Sequence, residues 1–188
     1  MKKLLLILVV FCCTMAVKAQ PLPQAPWDFW YTTTDGNELS PIPAGSNFGS
    51  GLEVVSHSYT NGRGIISLSG DVTMIYGSTF YGEETLKSVT LPSNIKTIGE
   101  LAFCSCSNLT SINFPEGLTS IGGDAFSSCK SLEAVILPST VSRIEELTFN
   151  CCYSLGSVVL PSSITFIGES AFDQCRSLET ITCDATTP

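Results

Sequence analysis

LTSINFPEGLTSIGGDAFSSCKS, residues 109–131, decides the fold because the chain repeats its pattern. Leu86, Leu109, Leu132, Leu155 and Leu178 stand 23 residues apart, and Pro92, Pro115, Pro138 and Pro161 keep the same interval. So do Ile98, Ile121, Ile144 and Ile167, then Phe103, Phe126, Phe149 and Phe172, and finally Cys106, Cys129, Cys152 and Cys175. A fixed period of this length marks a solenoid, in which each unit contacts only its neighbours. One interval further back, Ile66, Leu68, Val72, Ile75 and Phe80 align with Val89, Leu91, Ile95, Ile98 and Phe103, while Ser69 and Glu83 replace the proline and the cysteine. That is a degenerate first unit, as expected of a cap.

Inside the unit, Ile112 and Phe114 alternate with Ser111 and Asn113, which predicts a strand with one buried face. The strand is expected to end at Pro115, whose nitrogen has no proton for a ladder. Leu118 and Ile121 continue the buried set, and Gly122 reads as the positive-φ residue of a sharp reversal. Phe126 and Cys129, three apart, predict a short helical turn with both side chains on one face. The eight core positions Leu109, Ile112, Phe114, Leu118, Ile121, Ala125, Phe126 and Cys129 bury too little to order 23 residues alone, so the units must stack. The expected fold is a β-rich, right-handed solenoid with one parallel sheet, its strands centred on Leu68, Leu91, Phe114, Leu137 and Leu160. It occupies residues 63–188 as repeats 63–85, 86–108, 109–131, 132–154 and 155–177 with a partial sixth at 178–188.

The pattern L-x-x-[IV]-x-[LF]-P-x-x-[ILV]-x-x-I-G-x-x-A-F-x-x-C closely resembles the BspA-like leucine-rich repeat family of secreted bacterial proteins. Ordinary leucine-rich repeats lack the combined L-P, I-G, A-F and C columns. Trp30-Tyr31-Thr32-Thr33-Thr34-Asp35-Gly36 and Tyr59-Thr60-Asn61-Gly62-Arg63-Gly64-Ile65-Ile66 also look like the segment that precedes such repeats. Departures from the pattern include Glu145 and Tyr76 in the glycine column and Thr148 in the alanine column. The resemblance implies a surface or extracellular ligand-binding role, often described as adhesion to host matrix proteins.

Lys2 and Lys3 precede the apolar run Leu4 to Phe11, and Val17-Lys18-Ala19 offers a small-residue cleavage site. Residues 1–19 therefore read as a secretory signal peptide, the run being shorter than the roughly 20 residues that span a bilayer. Phe11 before Cys12 does not suit a lipoprotein signal. Removal of residues 1–19 leaves 6 basic and 17 acidic residues, a net charge of −11, with seven cysteines and no later membrane span. An acidic surface argues against nucleic acid as a partner. Localisation is expected to be secreted or cell-surface.

Residues 20–62 read as a leader and N-terminal capping segment. Pro21, Pro23 and Pro26 suggest an extended leader, and Trp27, Phe29, Trp30 and Tyr31 then form either a carbohydrate platform or a hydrophobic lid over the first repeat. The lid is the simpler account, since an uncapped end exposes core. His57, the chain's one histidine, is expected to be a surface or cap residue.

Cys106, Cys129, Cys152 and Cys175 share a column and should stack as buried free thiols, because ladder neighbours point in parallel, a poor geometry for disulfides. Cys104 and Cys151 are expected to be exposed, and Cys183 to lie on a strand. Neither Cys104-Ser105-Cys106 nor Cys151-Cys152 has the spacing of a zinc site, and no histidine accompanies them for nucleophilic chemistry. No cofactor, metal or catalytic set is called for, and the chain is expected not to be an enzyme. A thiol-dependent redox protein and a structural segment of a larger surface assembly are the alternatives. Glu100, Glu146 and Glu169, with Asp124 one position off, form an acidic column, explained by the dipole of the expected helical turns or by a calcium ion or basic partner.

The candidate binding face consists of the residues that alternate with the buried ones: Ser88, Thr90, Ser111, Asn113, Ala134, Ile136, Ser157, Val159, Thr180 and Thr182. They are uncharged, and Ile136 beside Val159 makes an apolar centre for an extracellular protein or glycan. Leu178, Ile181 and Cys183 begin a sixth strand whose open edge is expected to meet another copy end to end, a capping partner or a continuation of the chain.

Overall fold

A computed structural model describes residues 28–40 and 43–184. The signal peptide, the proline-rich leader and Trp27 lie outside the described residues. The first three strands among the described residues are β1 (Phe29–Thr33), β2 (Val54–Thr60) and β3 (Arg63–Leu68). Short and longer strands then alternate along it: β4 (Met74–Ile75), β5 (Leu86–Thr90), β6 (Thr97–Ile98), β7 (Ser111–Asn113), β8 (Ser120–Ile121), β9 (Ala134–Ile136), β10 (Arg143–Ile144), β11 (Ser157–Pro161), β12 (Phe166–Ile167) and β13 (Thr180–Asp184). The odd-numbered strands from β5 line one side of a solenoid and the even-numbered ones a second. Pairing is parallel and offset by one repeat, as in Ser88 with Ser111, Ser157 with Thr180 and Ile98 with Ile121.

The strands sit earlier than expected, on residues such as Ser88, Ile112 and Val135 and not on Leu91, Phe114 and Leu137. The leucine before each proline is the corner at which the chain turns inward, and Leu91, Leu137 and Leu160 are buried there. β11 alone runs through its proline, because β13 pairs with it as far as Pro161 and Asp184.

The third side of each turn is not the expected helical turn. The Phe103 and Ser105 N–H groups donate to the Ala125 and Ser127 carbonyls of the next turn, both at 2.8 Å, while the intervening Ala102 and Cys104 N–H groups bond back to Gly99 and Leu101 at 3.3 and 3.1 Å. A helix would direct every N–H along its own axis and leave adjacent turns unconnected. The alternation instead satisfies the backbone between turns. It requires two left-handed residues per turn, Leu101 and Ser105, Asp124 and Ser128, Leu147 and Cys151, Ser170 and Gln174, with φ from 53° to 63°.

The glycine column serves a different purpose from the one expected. Gly99, Gly122 and Gly168 do not have positive φ. A Cβ at Gly122 would lie 2.6 Å from the Glu100 nitrogen, and one at Gly168 would lie 2.5 Å from the Glu146 nitrogen. These residues are glycine because the backbone of the preceding turn occupies the space of a side chain.

One core runs the length of the solenoid. Phe80, Phe103, Phe126, Phe149 and Phe172 stack face to face at 5.0–5.5 Å between ring centroids and 5–8° between planes. Each cysteine of the repeat column donates its thiol to the carbonyl of a phenylalanine in the turn before: Cys106 to Phe80 at 3.0 Å, Cys129 to Phe103 at 3.2 Å, Cys152 to Phe126 at 3.3 Å and Cys175 to Phe149 at 3.2 Å. A small apolar side chain with a weak donor suits a position that is buried yet faces a carbonyl.

The first repeat departs from a single parallel sheet. β1 lies between β3 and β5, antiparallel to both, with Phe29 opposite Ile66 and Trp30 opposite Thr90, and β2 completes a hairpin with β3. Phe29 and Phe48 close the end of the ring stack, 4.8 Å from each other and each 6.0 Å from Phe80. The aromatic segment is thus a lid, with Phe29, Trp30 and Tyr31 all buried. His57 belongs to it, its Nε2 meeting the Tyr31 hydroxyl at 2.5 Å. The opposite end has no such cover among the described residues. Ile167 and Ile181 are each 49% exposed, whereas Ile98, Ile121 and Ile144 in the column of Ile167 are at most 2% exposed.

Candidate binding face

The strands project alternate residues outward, and the pattern of exposure follows the sequence alternation. Thr90, Ser111, Asn113, Ala134, Ile136, Thr180 and Thr182 are exposed, while Ser88, Ser157 and Val159 are half-buried. Val89, Val135 and Val158 between them face the core. Ile136 is 67% exposed, against 1% for its neighbour Val135. Register places Ile136 directly beside Val159, and Ala134 beside Ser157. An isolated exposed isoleucine is ordinary; here two apolar residues stand in register among outward positions that hold no charged residue.

Two polar contacts organise the N-terminal half of this face. The Ser88 hydroxyl meets Thr32 of β1 at 2.6 Å, and the Asn113 Oδ1 accepts the Leu91 N–H at 2.7 Å, standing in for a ladder carbonyl. Beyond the predicted set, β1 places Thr32 and Trp30 beside Ser88 and Thr90, but Trp30 is itself buried, with the Arg63 guanidinium 5.0 Å from its ring centre. Nothing in the repeat pattern marks β1 as a member of this sheet, because it stands outside the period. A small hollow of about 40 Å³ is lined there by Trp30, Arg63, Ser88 and Thr90.

The acidic column lies elsewhere. Glu100, Asp124, Glu145, Glu146 and Glu169 border an open hollow of about 420 Å³ on the side of the short strands. The helix dipole expected to favour them is absent, since these turns are not helical. Arg143 partly offsets the charge, its Nε donating to Glu145 at 2.9 Å while its guanidinium covers the Phe166 ring at 4.0 Å. Among the described residues no three His, Cys, Asp or Glu side chains are grouped to hold a metal ion.

The seven described cysteines are unpaired. Burial pushes the Cys106 and Cys129 thiols up from the ordinary range, and the neighbouring Cys175 side chain together with burial does the same to Cys152. Cys104, expected at the surface, is buried. Ser127, at the same place in the next turn, is buried too, whereas Tyr81 and Asp173 in that column are exposed. Cys151 is half-buried and Cys183 exposed. Iodoacetamide applied to the native protein should modify Cys183 first and Cys151 next. Cys106, Cys129 and Cys152 should react at least about 100-fold more slowly, since the thiolate forms there only after local opening. Peptide mass spectrometry reads the order, and early modification of Cys129 would contradict the buried ladder.

Short parallel strands on two sides, a leucine-bearing corner and a 23-residue turn define a leucine-rich repeat protein. The chain belongs to the BspA-type leucine-rich repeat family, whose repeat region matches six copies over residues 73–187. Among solved structures it is similar to the T. pallidum leucine-rich repeat protein TpLRR, with 37% identity, a TM-score of 0.59, and coverage of 60% of this chain and 53% of that one. It is also similar to the pneumococcal vaccine antigen PcpA, at 26% identity and a TM-score of 0.56, over 68% of this chain and 30% of that one. The chain thus spans about half of the first and under a third of the second. No curated protein matches it. No helix among the described residues is long and apolar enough to cross a membrane.

Proposed function

We propose that this chain is an exported, non-catalytic binding module whose strand face docks an extracellular protein or glycan at the bacterial surface. The observation that carries the reading is the face itself, whose ten predicted outward positions hold no charged residue, with exposed Ile136 beside Val159 at the centre. A sheet face with no task is equally well solvated by Lys and Glu. The signal-peptide pattern of residues 1–19 and the similarity to a pneumococcal vaccine antigen support a surface location. The apolar pair supplies the anchor, and the hydroxyls of Ser111, Ser157 and Thr180 with the Asn113 amide supply direction.

The test is a pull-down with the chain as bait against matrix proteins, mucins and bacterial surface glycans, followed by titration of whatever is captured. Ile136→Lys with Val159→Lys should leave the circular dichroism and melting temperature unchanged and weaken binding at least tenfold. Unchanged affinity would move the site to the acidic column or to the Trp30 end of the sheet.

A further inference from the structure

Between the third and fourth turns two of the three ladders lapse. β6 pairs with β8 and β10 with β12, but β8 and β10 do not pair; β5 pairs with β7 and β9 with β11, but β7 and β9 do not. In the third turn the Thr119 and Gly122 N–H groups each donate to the turn before at 2.9 Å, and in the fifth Thr165 and Gly168 do so at 2.8 Å. The corresponding amides of the fourth turn, Ser142 and Glu145, make no such bond. On the other strand side the Glu133 N–H reaches Thr110 at 3.3 Å, against 2.8 Å for Thr110 to Lys87 and 2.9 Å for Gly156 to Glu133. Only the third side keeps its full backbone ladder, with Asp124, Phe126 and Ser128 donating to Glu146, Thr148 and Asn150 at 3.1, 2.9 and 2.8 Å; elsewhere the junction is crossed by the Glu133 N–H and by the Thr140 hydroxyl, which donates to the Glu116 and Leu118 carbonyls.

The cause lies in two residues. Glu145 stands in the glycine column, where a Cβ at Gly122 or Gly168 would approach a backbone nitrogen of the preceding turn to 2.6 or 2.5 Å. Glu145 carries that Cβ, so the ladder spacing is closed to it. On the opposite side Phe114 replaces the corner leucine, and its ring stands edge-on to Phe126, 5.6 Å away at 89°, half-buried where Leu91 and Leu137 are buried. Both substitutions act at the same junction between turns.

We propose that the solenoid flexes along this seam, with the continuous third side as its hinge line, so that turns one to three and turns four and five move as two stiff blocks. The seam passes between Asn113 and Ile136, where the outward face changes from hydroxyl and amide groups to apolar ones. A partner that touches both blocks therefore meets a face of adjustable angle, and its binding holds the seam in one opening. The flexure itself rests on the ladders and is independent of the binding reading.

Amide hydrogen exchange on the whole chain, resolved by NMR, tests it. The Ser142 and Glu145 amides should exchange at least tenfold faster than those of Thr119, Gly122, Thr165 and Gly168, while Asp124, Phe126 and Ser128 stay protected. Glu145→Gly should slow Ser142 and residue 145 at least tenfold by letting the ladder close. Glu145→Ala, which keeps the Cβ but loses the Arg143 contact, should leave them fast. Equal exchange across the three turns, or the same slowing by glycine and alanine, would overturn the proposal; the comparison within the unaltered chain holds even if a variant fails to fold.

Discussion

Replacing Phe126 by alanine should cost about 3–5 kcal/mol, the usual range for deleting a fully enclosed ring. Its side chain is inaccessible to solvent and lies between Phe103 at 5.3 Å and Phe149 at 5.5 Å, with Phe114 edge-on at 5.6 Å. The two stacked neighbours cannot collapse into the space, because Phe103, Phe126 and Phe149 are each held by a backbone ladder on the third side, where Phe126 donates to Thr148 at 2.9 Å. The cavity therefore persists, and the loss falls at the high end for its chemistry. In a stacked array the damage also uncouples neighbours, because each turn is stable only against the next. Urea denaturation should show a lower midpoint with a broadened transition, as the two ends begin to unfold separately. Phe172→Ala, at the open end with one ring neighbour, should cost less than half as much. A loss under about 1 kcal/mol at position 126 would mean that the ring stack does not hold the turns together.

The period carried most of this fold. Columns of leucine, isoleucine, phenylalanine and cysteine repeat because each occupies the same place in successive turns, so the core could be read without knowing how the chain travels between its members. The path itself was less legible. Alternation around Ile112 marked a strand correctly, but the step from Phe126 to Cys129 has the same three-residue spacing in a helix and in a run of tight turns. What separates them is where the backbone protons go, and that is decided by the neighbouring turn. β1 was hidden for another reason. It has no counterpart 23 residues away, so nothing periodic announces that Trp30 and Thr32 join the sheet beside Ser88 and Thr90. The outward residues of the candidate face followed directly from alternation, whereas the gap between Asn113 and Ile136 required the distances between turns.

Gly122→Ala should destabilise the protein by about 2–3 kcal/mol, although it adds a single methyl group. The new Cβ would lie 2.6 Å from the Glu100 nitrogen and 2.9 Å from the Gly99 carbonyl carbon. Those are backbone atoms, so no side chain can swing aside. The ladder bond from Gly122 to Ile98, 2.9 Å long, must open instead. A glycine kept for positive φ would behave differently. Asp124, two residues on, has φ 53°, and Asp124→Gly should change stability by no more than about 1 kcal/mol, since relief of backbone strain opposes the added freedom of the unfolded chain. Position 122 is also the place where the fold has least to spare. Glu145 already leaves the fourth turn unpaired with the third on this side, so opening the bond to the second turn leaves β8 without a partner on either edge. Exchange of the Thr119 and residue-122 amides should rise with the loss of stability. If alanine costs less than about 0.5 kcal/mol at position 122, close approach does not explain the glycine column. The Cβ of Glu145 then does not explain the open seam beside it either.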